Sequence, residues 1–200
     1  LEWGAFAVTG LLMGLLGIEE MAGHQIALNL SSFTFMVPLG IGAAASVRIG
    51  QEVGRGDPGS ARRAAGGALA IGLAFMLCTA LLFLAFPTAL ARTFSDDLAV
   101  VGVATLLLPI AGVFQVFDGL QAVAGGVLRG IGDTRAPMWA NILGFWVLGL
   151  PLSLLLGFRF GLGPRGLWWG LAVGLAVVSV LLLMRVRVHL GGDLRRLTIE

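Results

Sequence analysis

Between Val100 and Leu128 the chain carries a single charge, Asp118, with Gln115 and Gln121 three residues to either side. An ionised carboxyl attracts a cation, and a proton that neutralises it lets the cation go. On one helix, residues three apart share a broad arc of the surface, so this trio reads as the wall of a cavity on an otherwise apolar rod. At 1.5 Å per residue, Asp118 lies about 16 Å from Arg129 and about 31 Å from Asp97 along such a helix, well inside a bilayer. An aspartate at mid-helix costs about 2.5–3.5 kcal/mol on insertion scales, so it should face a bundle interior or a wet cavity. The alternative is a buried carboxyl that caps a neighbour's broken backbone near a proline kink. Acids embedded in membranes are functional by default, which puts the cavity first.

The remaining candidates are weaker. Glu2 would sit about 25 Å from Glu19 along its helix, either as an interfacial anchor or as a consequence of where the chain starts. The stretch GQEVGRGDPGSARR (50–63) has the glycines of a phosphate loop but lacks its Lys-Ser/Thr ending and follows no strand. It reads as a turn broken at Asp57-Pro58-Gly59, with arginines at the headgroups. His24 opens a span beside a loop, has no Cys or second His nearby, and is expected at the interface. His189 falls in the tail and carries no signal. No Ser-His-Asp or Cys-His arrangement is present, so an enzyme reading has no residues behind it. The single cysteine, Cys78, excludes a disulfide framework or a CxxC metal site.

The elements that must position these residues follow from composition. Of 200 residues, 58% are hydrophobic and only 12% charged, and the mean hydropathy is +0.96. A soluble domain keeps roughly a quarter of its residues charged, so this is a chain for lipid. Its basic residues sit in short clusters between apolar runs, which suits membrane topology and not nucleic acid. No secretory leader is visible. Six spans are expected, at residues 1–16, 22–47, 64–86, 98–128, 137–158 and 167–184, with a tail at 185–200. Helices satisfy their backbone groups internally, as lipid demands, and tolerate Pro38, Pro109 and Pro151 as kinks. The first span is short for the roughly 20 residues a crossing needs, so the chain reads as a fragment that starts within, or just short of, a first spanning helix.

Ten arginines lie in one set of loops and the tail (Arg48, Arg55, Arg62, Arg63, Arg129, Arg135, Arg185, Arg187, Arg195, Arg196). The alternate loops hold three, Arg92, Arg159 and Arg165. The positive-inside rule places the richer set, and with it the C-terminus, in the cytoplasm. GIEEMAG (17–23) and ARTFSDD (91–97) are then short external loops. GxxxG spacings at Gly10/Gly14, Gly126/Gly130 and Gly166/Gly170/Gly174 mark close helix contacts inside one bundle. The expected fold class is all-α: a polytopic membrane protein with a six-transmembrane-helix bundle.

Three stretches, VRIGQEVGRGDPGSARRAA (47–65), FQVFDGLQAVAGGVLRGIGDTRAPMWAN (114–141) and GLPLSLLLGF with GLGPRGLWWGL (149–171), resemble the multidrug and toxic compound extrusion (MATE) transporters. The resemblance is to the NorM-like branch, over the C-terminal six-helix half. It implies one lobe of a twelve-helix fold, the missing N-terminal six-helix lobe as partner, and a cleft between the two. It implies secondary active efflux of small cationic or amphipathic drug-like molecules by alternating access, with H+ or Na+ as the coupling ion and no cofactor. The localisation it implies is the bacterial inner membrane. The acids of helices seven and ten in that branch match Glu2 and Asp118, where Na+ or a proton would bind. Gln115, Gln121 and Phe114 complete the ion-coupling and substrate-binding set. Phe117 and nearby methionines would add apolar and cation–π surface. Members of the branch often carry a tyrosine where Phe114 stands, so a phenolic ligand for Na+ is lost and proton coupling gains weight. Two other readings are a flippase for a lipid-linked intermediate and a non-transporting membrane scaffold subunit. The flippase would want several basic residues in its spans, and the scaffold leaves the polar arc unexplained.

Overall fold

The computed structural model describes the backbone of residues 2–191 and the side chains of residues 4–191. The glutamate at position 2 therefore contributes helix backbone only, and Arg195 and Arg196 lie outside the described residues. The elements are α1 (Glu2–Leu16), α2 (Ile18–Gly54), α3 (Pro58–Ala85), a short α4 (Pro87–Arg92), α5 (Leu98–Ile131) and then a rod from Arg135 to Arg159. The rod alternates α6 (Arg135–Asn141) and α7 (Leu150–Leu154) with wider π turns at Ile142–Gly149 and Leu155–Arg159. Helix α8 (Gly163–Gly191) ends the described chain. Five of these are long and apolar enough to cross a membrane, α1 is a shorter apolar helix, and the fold is an all-α membrane bundle.

Local chemistry sets most of the ends. Asp57 caps α3 by accepting from the Ser60 N–H at 2.9 Å, and Pro58 opens the helix where no donor is missed. The hydrogen bonds from the Ser60 N–H and hydroxyl, with the Arg63 charge nearby, hold the Asp57 carboxyl below its ordinary pKa. Asp97 caps α5 through the Ala99 N–H at 2.8 Å, and Gly132, left-handed at φ 96°, stops it. Within the rod, Pro151 has no N–H and its ring would press on the carbonyl of the preceding turn. The π turn before it widens that crowded segment, with the Leu150 N–H reaching back to the Phe145 carbonyl.

Two expected loops are largely helix. Residues Ile18–Gly23, read as an external loop, form the first turns of α2, because only Gly17 breaks the chain and Glu19 and Glu20 suit a helix N-terminus. At the other end α2 runs on to Gly54 and α3 already includes Arg62 and Arg63, so the predicted turn at 50–63 narrows to residues 55–57.

Glycine contacts give the register of the bundle. A methyl group at Gly42 of α2 would stand 2.7 Å from the Ala122 carbonyl oxygen, and one at Gly130 of α5 would stand 2.8 Å from that of Ser46. Gly23 faces Val103 and Ala104 in the same way. The near-constant offset between these pairs makes α2 and α5 parallel. Pairs of constant sum (Gly72 with Val123, Gly119 with Met76, Gly112 with Ala80) make α3 antiparallel to α5. Gly144, Gly149 and Gly157 of the rod meet Gly174 and Leu167 of α8 in the same antiparallel sense. All three GxxxG spacings face neighbours within the bundle, where lipid supplies no hydrophobic drive and close packing must hold helices together. Helix α5 lies at the centre, buried along most of its length. The periphery is apolar as well, with Leu15, Phe33, Leu81 and Val188 exposed, a surface for lipid and not for water.

Candidate functional site

The parallel packing of α2 and α5, with α1, α6 and α8 around them, leaves a half-open cavity of about 500 Å³ lined by residues of all five helices. Asp118 stands on its α5 wall and is 6% exposed. One turn earlier, Phe114 also lines the cavity. Its ring packs edge-on against Phe6 at 5.7 Å and Trp168 at 5.8 Å, so three helices share one aromatic contact. Gln121, one turn beyond Asp118, lines the cavity and donates from Nε2 to Asn141 Oδ1 of α6 at 3.0 Å. Apolar surface comes from Phe35, Met36 and Leu39 of α2 as well. Arg129 lines the end of the cavity nearest the arginine-rich face of the bundle.

Gln115 departs from its expected place. It is fully buried but not on the cavity wall; its Oε1 accepts from the Thr34 hydroxyl of α2. Residues three before and three after a given position lie about 60° to either side of it, so the two glutamines are about 120° apart. One edge of the arc meets α2 and the other meets α6. Phe117 is not on the wall either; its backbone carbonyl accepts from Ser179 Oγ at 2.6 Å, which ties α8 to the turn of α5 that carries Asp118. The side chain of Glu2 lies outside the described residues. Among the described residues no group of three His, Cys, Asp or Glu side chains is placed to hold a metal ion.

His24 is not interfacial. It is 1% exposed, lines the cavity, and its Nδ1 accepts from Trp168 Nε1 at 3.2 Å. The partner is 144 residues away in sequence, so no local spacing could have revealed the pair. Ser31, Asn141 and Arg129 are further wall residues that pattern alone did not single out.

A second polar cluster sits at the arginine-rich end, around the turn between α5 and α6. Asp133, in the turn after α5, accepts from Arg185 Nε at 2.8 Å and from the Ala136 N–H at 3.1 Å, and lies 3.1 Å from His189 Nε2. Burial alone would raise the Asp133 carboxyl, but these hydrogen bonds and the Arg185 charge together hold it below its ordinary value. The cluster clasps α8 to the α5–α6 turn, which gives His189 a place that its sequence context did not. Nearby, the buried Glu52 pairs with Arg48 at 2.9 Å and Arg55 at 3.2 Å along one helix.

The MatE family profile matches residues 1–155. Multidrug resistance protein NorM of Burkholderia vietnamiensis is 50% identical over 185 residues, which cover 90% of this chain and 40% of that protein. Probable multidrug resistance protein NorM of Brucella suis is 42% identical over 195 residues, 95% of this chain and 41% of that protein. Among solved structures, a eukaryotic MATE transporter, AtDTX14, superposes with a TM-score of 0.88 at 32% identity, over 93% of this chain and 42% of that one. The chain thus spans about two fifths of the length of the relatives it matches.

Proposed function

The chain belongs to the MatE family, a family of membrane transporters, and from that premise we propose that it is the C-terminal lobe of a multidrug antiporter. A lobe of this kind works against an N-terminal partner lobe of six helices, with the cleft between them open alternately to either side. The arginine-rich end faces the cytoplasm, the C-terminus with it, in a bacterial inner membrane.

The observation that carries the reading is Asp118 on the wall of a mostly apolar cavity that also presents Phe114, Phe35 and Met36. An ionised carboxylate amid aromatic and methionine surface suits an amphipathic cation, whose charge and apolar body are both matched. A proton or Na+ at the same carboxylate competes with that cation, and the competition couples ion entry to drug exit. Glu2 assists as the second acid. Gln121 braces the wall through Asn141, and Gln115 holds α5 against α2. Phe114 lacks the phenolic oxygen that would help hold Na+, which weighs toward H+ as the coupling ion. The flippase reading finds Arg129 as the single Arg or Lys on the described cavity wall, too little for a diphosphate. A scaffold has no use for the cavity.

Ethidium export by the complete protein in vesicles, with the pH gradient and the Na+ gradient imposed separately, tests this. Uphill export driven by one of the two, and lost in Asp118→Asn, is expected. Export that survives in Asp118→Asn would remove Asp118 from the coupling role.

A further inference from the structure

The α2 wall of the cavity carries two polar atoms that cation binding leaves unused. His24 and Ser31 are two turns apart on one face of α2, together with Leu28 and Phe35, and all four line the cavity. Both polar residues are buried, His24 at 1% and Ser31 at 5% exposure. The indole N–H of Trp168 can only donate, so its 3.2 Å bond to His24 Nδ1 makes that nitrogen the acceptor. A neutral imidazole then carries its proton on Nε2. Neither His24 Nε2 nor Ser31 Oγ has a hydrogen-bond partner among the described residues. A buried donor with nothing to donate to is costly and points to a ligand that would complete it.

Gly10 of α1 lies beside that donor. A Cβ at Gly10 would stand 3.8 Å from His24 Nε2, ordinary contact, so the bare glycine leaves a methyl-sized gap beside the ring, at the edge of the cavity both residues line. The same Trp168 that sets the imidazole proton also packs on Phe114, one turn from Asp118. The donor wall and the carboxylate wall are therefore held together by one indole.

We infer that His24 Nε2–H and Ser31 Oγ form a neutral subsite that receives an oxygen acceptor, a carbonyl, ester or carboxylate, of an amphipathic cation whose charge rests at Asp118. The inference rests on the Asp118 cation site and adds what that site alone cannot supply. Among cations of similar charge, the cavity prefers those with an acceptor set apart from the charge.

The test measures binding of two fluorescent xanthylium cations to the complete protein in detergent by anisotropy. Rhodamine 6G carries an ester, and pyronin Y lacks it. Wild type should prefer rhodamine 6G. His24→Phe, which keeps an aromatic ring without a donor, should reduce that preference about 5- to 10-fold, the worth of one hydrogen bond. Gly10→Ala fills the gap without a clash, so it should have the same effect in a protein that keeps its fold. Ser31→Ala should have a smaller one. A preference unchanged in both His24→Phe and Gly10→Ala overturns the subsite, and so does a wild type without preference. If Asp118→Asn binds both dyes as tightly as wild type, the cation site itself is wrong and the subsite falls with it. If Asp118→Asn weakens both dyes while the other variants leave the ratio untouched, only the subsite fails.

Discussion

Helix α5 presents two aspartates to opposite environments. Asp133, just past its end, accepts from the Arg185 guanidinium and the Ala136 N–H and touches His189, so its charge is met from three sides. Asp118, midway along, stands on a cavity wall beside aromatic rings, and on the α2 wall of the same cavity His24 Nε2 and Ser31 Oγ have no partner among the described residues. Both carboxyls are 6% exposed, so burial does not separate them. What separates them is the setting: Asp133 closes a turn with its own hydrogen bonds, whereas Asp118 lines a cavity that His24 and Ser31 also line. A cluster that completes its own hydrogen bonds holds elements together, whereas a cavity that leaves donors open has something still to bind.

That contrast breaks if the two acids respond alike to substitution. Asp118→Asn should cut gradient-driven ethidium export roughly 10- to 100-fold, since a hydrogen bond to a charged group is worth about 1.5–3 kcal/mol. Its unfolding in detergent should stay within about 1 kcal/mol of wild type. Asp133→Ala should do the reverse at the level of stability, losing about 2–3 kcal/mol as Arg185, His189 and the Ala136 N–H lose their acceptor. Denaturant titration of both variants in one detergent decides the matter. Similar losses for both would make Asp118 another clasp.

A pH scan sharpens the same distinction. The hydrogen bonds from Arg185, the Ala136 N–H and His189 hold the Asp133 carboxyl below its ordinary value despite burial. A group depressed in the folded state contributes stability that is present above its unfolded pKa and lost as pH falls through the folded one. Wild type should therefore lose this contribution on acidification below about pH 4, and Asp133→Asn should have a flatter unfolding curve over that window. An identical slope in both would remove the carboxylate from the clasp. The smallest effect belongs to the edge of the arc away from the cavity. Thr34→Val removes the hydroxyl that meets Gln115 and should cost about 1 kcal/mol in unfolding, without altering the preference between rhodamine 6G and pyronin Y. A changed preference would mean that Gln115 communicates with the cavity after all.

Much of the bundle was readable from pattern. Uncharged runs separated by arginine clusters give the order of the long helices, because lipid excludes charge and forces helix, while α2 and α8 each run seven residues past their expected ends. The helix ends at Asp57-Pro58 and Gly132 carry their own signals. The loop expected at Ile18–Gly23 is helix because polarity by itself does not break a chain: two glutamates at a helix N-terminus support helix. That Asp118 lies well inside α5, away from both ends, was legible from its distance to the flanking charges. Even the membership in the MATE transporters followed from short motifs around it.

Which side of α5 each polar residue serves was another matter. Gln115 and Gln121 flank Asp118 symmetrically in sequence, yet one meets Thr34 of α2 and the other lines the cavity with Asn141 of α6. His24 acquires its acceptor role from Trp168, at the far end of the chain. The apolar pattern and the charge distribution, which act on each helix separately against lipid and water, were therefore determined by the sequence alone: the order of the helices, and one acid well inside α5. The division of polar residues between helix clasps and an open cavity depends on which neighbour stands at each face, and close packing between helices distant in the chain decided that.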